Sequence, residues 1–295
     1  MNMPVSTPHR MEYIQKLFMD VERAVEKLTQ PDEIRRYLDA EEPLFRSVGY
    51  ESASMVLGLR ALMNDQSLTR WMEFRNQSGG QHSFHIDIGL GWAFAKTGLW
   101  SGAYAHAMDT SMQWMVYDGM GYYYGLFKGR TTIKQAIVPP ELGEEASDGF
   151  NEGLGRRLWY MAKGDHEELL SLVMHFNETR HPALWQGIGI ACGYVGGNSD
   201  AVIAAHMDAS GVHQQYFEKG IMLATVSRIA SNSMDTEFEN TLRQVCNLEV
   251  DDLRNANLFQ ELDIFSLNES SSGLWFSERK IQVKKSMQEA KSVVY

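Results

Sequence analysis

The sequence predicts an all-α protein made of helix-turn-helix repeats of about 34 residues, wound into a tight superhelix or an α/α toroid. The first observation behind this prediction is a pair of small residues, separated by one position, that opens successive apolar runs. The pairs are Ser52-x-Ser54, Gly89-x-Gly91, Gly119-x-Gly121, Gly153-x-Gly155 and Gly187-x-Gly189, with Gly220 alone as a weaker sixth. Their first members lie 37, 30, 34, 34 and 33 residues apart.

The second observation is a series of glycines that follow the apolar runs, three of them close to a lysine. A glycine just past a helix end, with a basic residue beside it, is an ordinary C-terminal stop. The stops are Gly98, Gly129, Gly164 and Gly197, spaced 31, 35 and 33 residues apart. Because two independent markers share one period, we expect each unit to contain a first helix, a glycine turn and a second helix.

The second helices are predicted from capping residues and apolar spacing. Asp165 and Asp200 each precede apolar residues at helical spacing and are expected to cap a helix. After Gly98, the second helix is expected to include residues from Tyr104 to Val116. The paired small residues predict close contact between neighbouring helix axes, since glycine inside a helix costs about 1 kcal/mol relative to alanine. The pattern also resembles a tetratricopeptide-like helical repeat, without that repeat's regular proline.

Three segments are expected along the chain. Residues 1–40 form an N-terminal helical extension, residues 41–260 form the helical-repeat domain, and residues 261–295 form a C-terminal cap or tail. The acidic stretch from Pro139 to Asp148 interrupts the period and is expected to be a lid or a hinge between lobes.

Composition excludes several classes of function. The 295 residues carry a net charge of -11, which argues against nucleic acid because phosphate binding needs a basic surface. No apolar run reaches the length of a membrane span or a signal core, and two cysteines are too few for a disulfide framework. The glycine pairs follow no β-branched strand, so they do not form a dinucleotide-binding motif. We expect a cytoplasmic protein without a cofactor; its oligomeric state is left open, a homo-oligomer included.

An acidic residue recurs beside the small pairs, at Glu51, Asp87, Asp118, Glu152 and Glu218. One interpretation is that these acids cap helix N-termini and offset the helix dipole. The other is that a closed array brings Asp87, Asp118 and Glu152 to one cavity as catalytic acids. A carboxyl buried against aromatic rings has a raised pKa and can donate a proton to an alkene or a carbonyl. Predicted substrate-binding residues are Trp92, Trp114, Tyr122, Tyr123, Arg156, Trp159 and Trp185.

Two further groups have both a functional and a structural interpretation. His82, His85 and Asp87 could ligate a metal or form a His–Asp base pair, but capping or packing is the favoured explanation; His85 is kept as a catalytic candidate and no metal is predicted. Arg156 lies between glycines and leucines and needs either an acidic partner in the fold or an anionic ligand. Both alternatives for Arg156 stay open.

Several motifs resemble a known family. The segments FNEGLGRRLW (150–159) and LWQGIGIACGYVGG (184–197) are similar to the strongest motifs of a bacterial family of unknown function found in enediyne and other polyketide gene clusters, labelled enediyne biosynthesis protein (UnbL-like). His85-x-Asp-x-Gly-x-Gly-Trp-Ala93 and Trp114-x-x-Tyr-Asp-Gly-x-Gly121 fit the same pattern, over about residues 50–248. The chain departs from the family at Tyr123-Tyr124, where a His-Glu pair is expected. The resemblance implies natural-product biosynthesis and no specific reaction.

Two functions follow as hypotheses. The favoured one is a cofactor-independent cyclase or isomerase that acts on a hydrophobic polyene or polyketide, with a buried carboxylic acid in an aromatic-lined cavity. The alternative is a non-catalytic helical-repeat scaffold that binds a polyketide synthase, a carrier protein or a hydrophobic product on a concave surface. Burial of the recurring acids around a closed cavity favours the enzyme, whereas acids spread over a solvent-exposed face favour the scaffold.

Overall fold

The computed structural model describes residues 6–64, 67–78, 80–142 and 146–255. These residues form α-helices joined by short turns, and no strand occurs among them. The helices are α1 Thr7–Val25, α2 Pro31–Asp39, α3 Arg46–Asn64, α4 Thr69–Gln77, α5 Ser83–Thr97, α6 Gly102–His106, α7 Thr110–Phe127, α8 Ser147–Met161, α9 His166–Val173, α10 His181–Val195, α11 Asp200–Ser210, α12 Gln214–Ala230, α13 Thr236–Cys246 and α14 Val250–Asn255. The all-α prediction is confirmed.

Six helices, named the central helices, carry the small residues, and each packs along the next member of this series. The order is α3, α5, α7, α8, α10 and α12. The first glycine of a pair lies against a backbone carbonyl of the preceding helix, and the second lies against one of the following helix. A Cβ at Gly153 would overlap the carbonyl of Asp118, and one at Gly155 would overlap the carbonyl of Leu184. The predicted close contact between helix axes is therefore confirmed.

The small pairs lie in the middle of their helices rather than at the start. Helix α5 begins at Ser83, six residues before Gly89, and the residues between them are mostly buried. Helix α7 begins at Thr110, so the residues up to Val116 share one helix with Gly119. The predicted second helix from Tyr104 to Val116 is wrong, because Asp109 starts a new helix by accepting a hydrogen bond from the Met112 N–H at 2.9 Å.

The capping interpretation of the recurring acids is wrong for the same reason. The first turns of α3, α5, α7 and α12 contain no acidic residue, and Glu152 lies one turn further along α8 than Asp148. Glu51, Asp87, Asp118 and Glu152 are buried within their helices. Their carboxyl groups must therefore be satisfied by side chains of neighbouring helices or remain uncharged.

The predicted turns are largely confirmed. Gly98 ends α5 in the left-handed conformation, and Gly164 and Gly197 also have positive φ angles. Gly129 does not, with a φ of -56°, because the chain continues into a short helical turn. Asp165 caps α9 by accepting from the Glu168 N–H at 2.8 Å. The cap of α11 is Ser199, one residue before the predicted Asp200.

Helix α1 packs along α3 and also reaches α10, far away in the sequence. The Thr7 hydroxyl donates to the Gly196 carbonyl at 3.1 Å. Arg10 donates to the Val195 carbonyl at 3.1 Å and pairs with Glu237 of α13 through both of its Nη atoms. Helix α1 thus connects α3 with the C-terminal end of α10 and with α13. The predicted tail, residues 261–295, lies outside the described residues, as do residues 143–145 of the acidic loop.

In the described parts of the chain, no helix has the length and hydrophobicity that a membrane crossing requires.

Candidate functional site

A cavity of about 450 Å³ lies between α1 and the central helices α3, α5, α7, α8 and α10. This volume falls in the range of small-molecule sites. Apolar and aromatic side chains form most of its wall, and a few charged groups face it. The lining residues include Phe18, Met55, Glu51, His85, Trp92, Tyr122, Tyr123, Phe127, Arg156, Arg157, Tyr160 and Tyr194.

Glu51 is the buried acid of this cavity. It belongs to α3, is 7% exposed and has no ion-pair partner among the described residues. The pKa of its carboxyl is raised from 4.5 to about 7, mainly by burial; the charge of Arg156 lowers the pKa and the charge of Asp118 raises it. At neutral pH the group is therefore divided between its acid and its base form, as a general acid–base catalyst requires.

Arg156 and Asp118 form a two-point ion pair between α8 and α7. The Arg156 Nε donates to Oδ2 at 3.1 Å, and Nη2 donates to Oδ1. Burial raises the pKa of the Asp118 carboxyl, and the Arg156 charge opposes this rise. The guanidinium also lies 5.1 Å from the Tyr122 ring centroid. Of the two alternatives for Arg156, the structural pair is present, and the same side chain also lines the cavity.

Glu152 does not line this cavity but lies next to it. The Trp114 indole N–H donates to one carboxyl oxygen at 3.0 Å, and the Gln186 amide donates to the other. The pKa of Glu152 is raised from 4.5 to about 8, by burial first and by the nearby Asp118 charge second, and the charge of Lys219 opposes this rise. Asp118 and Glu152 line a second chamber of about 60 Å³. His85, Arg156, Tyr160 and Tyr194 line both chambers, so they form the partition between them.

His82, His85 and Asp87 do not form one site. His82 is hydrogen-bonded to the Ser47 hydroxyl at 2.8 Å. Asp87 accepts from Arg75 at 2.6 and 2.8 Å and lines a separate outer groove. No group of three or more potential metal ligands occurs among the described residues.

His85 lies on the cavity wall, with its ring centroid 4.7 Å from that of Tyr194. Its Nδ1 is buried and has no hydrogen-bond partner in the described chain. Burial lowers the pKa of His85 well below its ordinary value. A neutral imidazole of this kind cannot act as a proton donor near neutral pH, although it can accept a hydrogen bond from a ligand.

The predicted aromatic residues divide into two groups. Trp92, Tyr122 and Tyr123 line the cavity. Trp114 is hydrogen-bonded to Glu152 outside the cavity. The buried Trp159 and Trp185 are not part of the cavity wall. The structure therefore brings together Trp92, Tyr122, Tyr123, Arg156 and His85 on the cavity wall. Asp118 and Glu152 line the adjoining smaller chamber.

Several cavity residues are absent from the predicted set, among them Phe18, Glu51, Arg157, Tyr160 and Tyr194. Glu51 belongs to the recurring acids, but nothing in its local sequence separates it from the acids that carry arginine partners. Tyr160 and Tyr194 lie in the apolar runs of α8 and α10, where periodicity alone does not indicate which side faces a cavity. Phe18 lies on α1, which the sequence does not connect to the repeats.

Comparisons with known proteins give a family without a described function. No curated protein and no solved structure matches the chain. A family model described as protein of unknown function (DUF1702) matches residues 3–271. That span begins before α1 and runs past α14, so it contains every helix of the site. The chain belongs to this family of proteins of unknown function.

Proposed function

We propose that this protein is a cofactor-independent cyclase or isomerase that binds an apolar polyene or polyketide chain in the cavity, with Glu51 as its acid–base group. The observation that carries the proposal is the position of the Glu51 carboxyl, which is buried in an aromatic wall and has no ion-pair partner in the described chain. The natural-product setting rests on the family resemblance of the sequence motifs.

The choice of Glu51 follows from the partners of the other acids. Asp87 and Asp118 are each held by two hydrogen bonds from an arginine. A carboxylate in such a pair is a poor proton donor because protonation would leave the arginine without its partner. Glu152 accepts from Trp114 and Gln186 and lines only the small lower chamber. Glu51 is the acid that combines access to the large cavity with a raised pKa.

The proposed reaction is an acid–base isomerisation in an apolar space. The Glu51 carboxyl transfers its proton to a carbon of an alkene, which forms a C–H bond and leaves a carbocation. An internal alkene can attack this cation to close a ring. Loss of a proton from a neighbouring carbon to the Glu51 carboxylate restores the acid and gives a product isomeric with the substrate. The faces of Trp92, Tyr122 and Tyr123 can stabilise the cation.

We also propose that the central helices curve into a tight superhelix whose interior is the cavity. Support comes from the contact of His85 on α5 with Tyr194 on α10, two helices that are not neighbours in the series. Arg228 of α12 donates to the Leu44 carbonyl at 3.1 Å, near the start of the series. Because α1 covers the interior, the concave surface that a protein-binding scaffold needs is largely occupied, which favours a small-molecule ligand.

The first test is mass spectrometry of the protein purified from its native host. A retained apolar molecule would identify the substrate class, whereas co-purification of a synthase or carrier protein without any small molecule would favour the scaffold. The second test incubates the protein in D₂O with the retained molecule or with linear polyenes such as farnesol, farnesoic acid and geranylgeraniol. We expect an isomer that carries deuterium at carbon, and no such product from Glu51→Gln. Glu12→Gln, on the exposed face of α1, is the matched control.

A further inference from the structure

Some charged side chains on the cavity wall have a partner of opposite charge among the described residues, and one of the cations does not. At the mouth, Lys96 and Glu22 lie 3.9 Å apart. Arg156 is neutralised by Asp118. Arg157, the next residue of α8, also lines the cavity, and no carboxylate pairs with it in the described part of the chain. An apolar chamber therefore contains a cation for which the described residues supply no counter-ion.

The side chain of Arg157 is partly buried and packs against α7. Its side-chain stem lies against Gly125 of α7, where a Cβ would approach the Arg157 Cγ to 2.9 Å. The Nε is buried and has no hydrogen-bond partner within the described residues. A buried donor without an acceptor is unfavourable, so a ligand that supplies the acceptor gains affinity at this point.

Two further donors belong to side chains that line the same cavity. The Tyr122 phenol interacts with Arg157, and both side chains line the cavity. Arg156 uses its Nε and Nη2 for Asp118, so its Nη1 takes no part in that pair. Guanidinium groups bind carboxylate and phosphate through two parallel hydrogen bonds. The α7–α8 side of the cavity therefore has the chemistry of an anion site.

We propose that the ligand is an amphipathic anion whose carboxylate or phosphate group binds Arg157, assisted by the Tyr122 hydroxyl and the Arg156 Nη1. The apolar remainder of the ligand lies along Phe18, Met55 and Trp92. This inference rests on the proposed function, because it assumes that the cavity binds an apolar chain, and it adds the class of head group and its place in the site.

The test compares three ligands that share one hydrocarbon chain: farnesol, farnesoic acid and farnesyl phosphate. Their dissociation constants are measured by calorimetry on the wild type, on Arg157→Gln and on Arg130→Gln, an exposed arginine outside the cavity. For the wild type we expect at least one anion to bind about tenfold or more tightly than the alcohol, as a charge-assisted bidentate contact would give. Arg157→Gln is expected to reduce that ratio to about 1 and to change alcohol affinity by less than about twofold. Arg130→Gln should retain the wild-type ratio.

The outcomes separate the two proposals. If farnesol binds and neither anion is preferred, the anion site is refuted while the proposed apolar cavity stands. If Arg157→Gln weakens all three ligands equally, Arg157 supports the fold and does not select the head group. If none of the three binds, the proposed function is refuted and this inference with it. Preference for the acid over the phosphate, or the reverse, identifies the head group. Circular dichroism of each variant verifies that it is folded.

Discussion

Arg156 of α8 holds the carboxylate of Asp118 on α7 through two hydrogen bonds, and the two side chains are only 12% and 1% exposed. The sequence marks both residues as candidates for the site, one as an anion-binding group and the other as an acid. In the structure each residue neutralises the charge of the other. This pairing is the reason for assigning the acid–base role to Glu51, which shares the cavity with Arg156 but has no comparable partner in the described chain.

Replacing Asp118 with asparagine should destabilise the protein strongly. The change leaves the buried Arg156 charge without its counter-ion, and removing one partner of a buried pair costs about 3–5 kcal/mol. The free energy of unfolding from urea titration is the measurement. Asp208→Asn, on the exposed side of α11, is the matched control and should change it by less than about 0.5 kcal/mol. The double variant Asp118→Asn/Arg156→Gln should recover part of the loss, and failure to recover any would contradict the ion-pair explanation.

Gly153→Ala should separate α7 from α8. The new Cβ would overlap the Asp118 backbone carbonyl, which cannot rotate away as a side chain could. Overpacking of this kind costs about 1–3 kcal/mol, and we expect a value at the upper end because the overlapping atom belongs to the backbone. Gly129→Ala is the control, since its φ is -56° and the nearest atom to a Cβ there is 3.7 Å away. It should be neutral or stabilising, and similar losses at the two positions would refute the packing argument.

The sequence predicts the close-packed helices because glycine recurs at a fixed spacing where a larger side chain would not fit between them. Gly89, Gly119, Gly153 and Gly187 each lie against a carbonyl of the preceding helix. Helix starts are less predictable: the apolar residues before Gly119 continue its helix, and only the cap at Asp109 marks where that helix begins.

The site is predicted less well because the partners of its charged residues come from distant parts of the chain. Asp118 and Arg156 are separated by 38 positions, and nothing near Glu51 indicates that it lacks a similar partner. The role of α1 depends on contacts such as that from Thr7 to Gly196, 189 positions apart. Residue types and period are local properties of the sequence, whereas pairing and cavity lining are properties of the folded chain.

Arg10→Gln should loosen α1 and expose the cavity. Arg10 is the main polar attachment of this helix, since it bonds to the Val195 carbonyl and to both carboxyl oxygens of Glu237. Losing charge-assisted hydrogen bonds of this type costs about 1.5–3 kcal/mol. We expect faster amide exchange in α1 and stronger fluorescence from an apolar dye. Arg23→Gln, whose pair with Asp20 is on the surface, is the control. Unchanged exchange in α1 of Arg10→Gln would show that apolar packing alone holds the helix.

Glu51→Gln should change how stability depends on pH. The pKa of the native Glu51 is raised from 4.5 to about 7 by burial. Between these two pH values the native carboxyl retains a proton that the unfolded chain releases, so the free energy of unfolding falls as the pH rises. The loss for a shift of this size is on the order of 3 kcal/mol and is complete above about pH 7. Glutamine stays uncharged throughout and removes this contribution.

The variant and the wild type should therefore differ little near pH 4.5, and the variant should be the more stable of the two at pH 8. Glu152, with a pKa raised to about 8, contributes a slope of the same sign to both proteins, so the quantity to compare is the difference between their stability curves. Glu12→Gln, at an exposed position, should follow the wild type. A variant that is less stable than the wild type at pH 8 would mean that the native Glu51 carboxylate is stabilised by its surroundings. In that case it would not serve as the proton donor that the proposed reaction requires, since a stabilised carboxylate holds its proton too weakly near neutral pH.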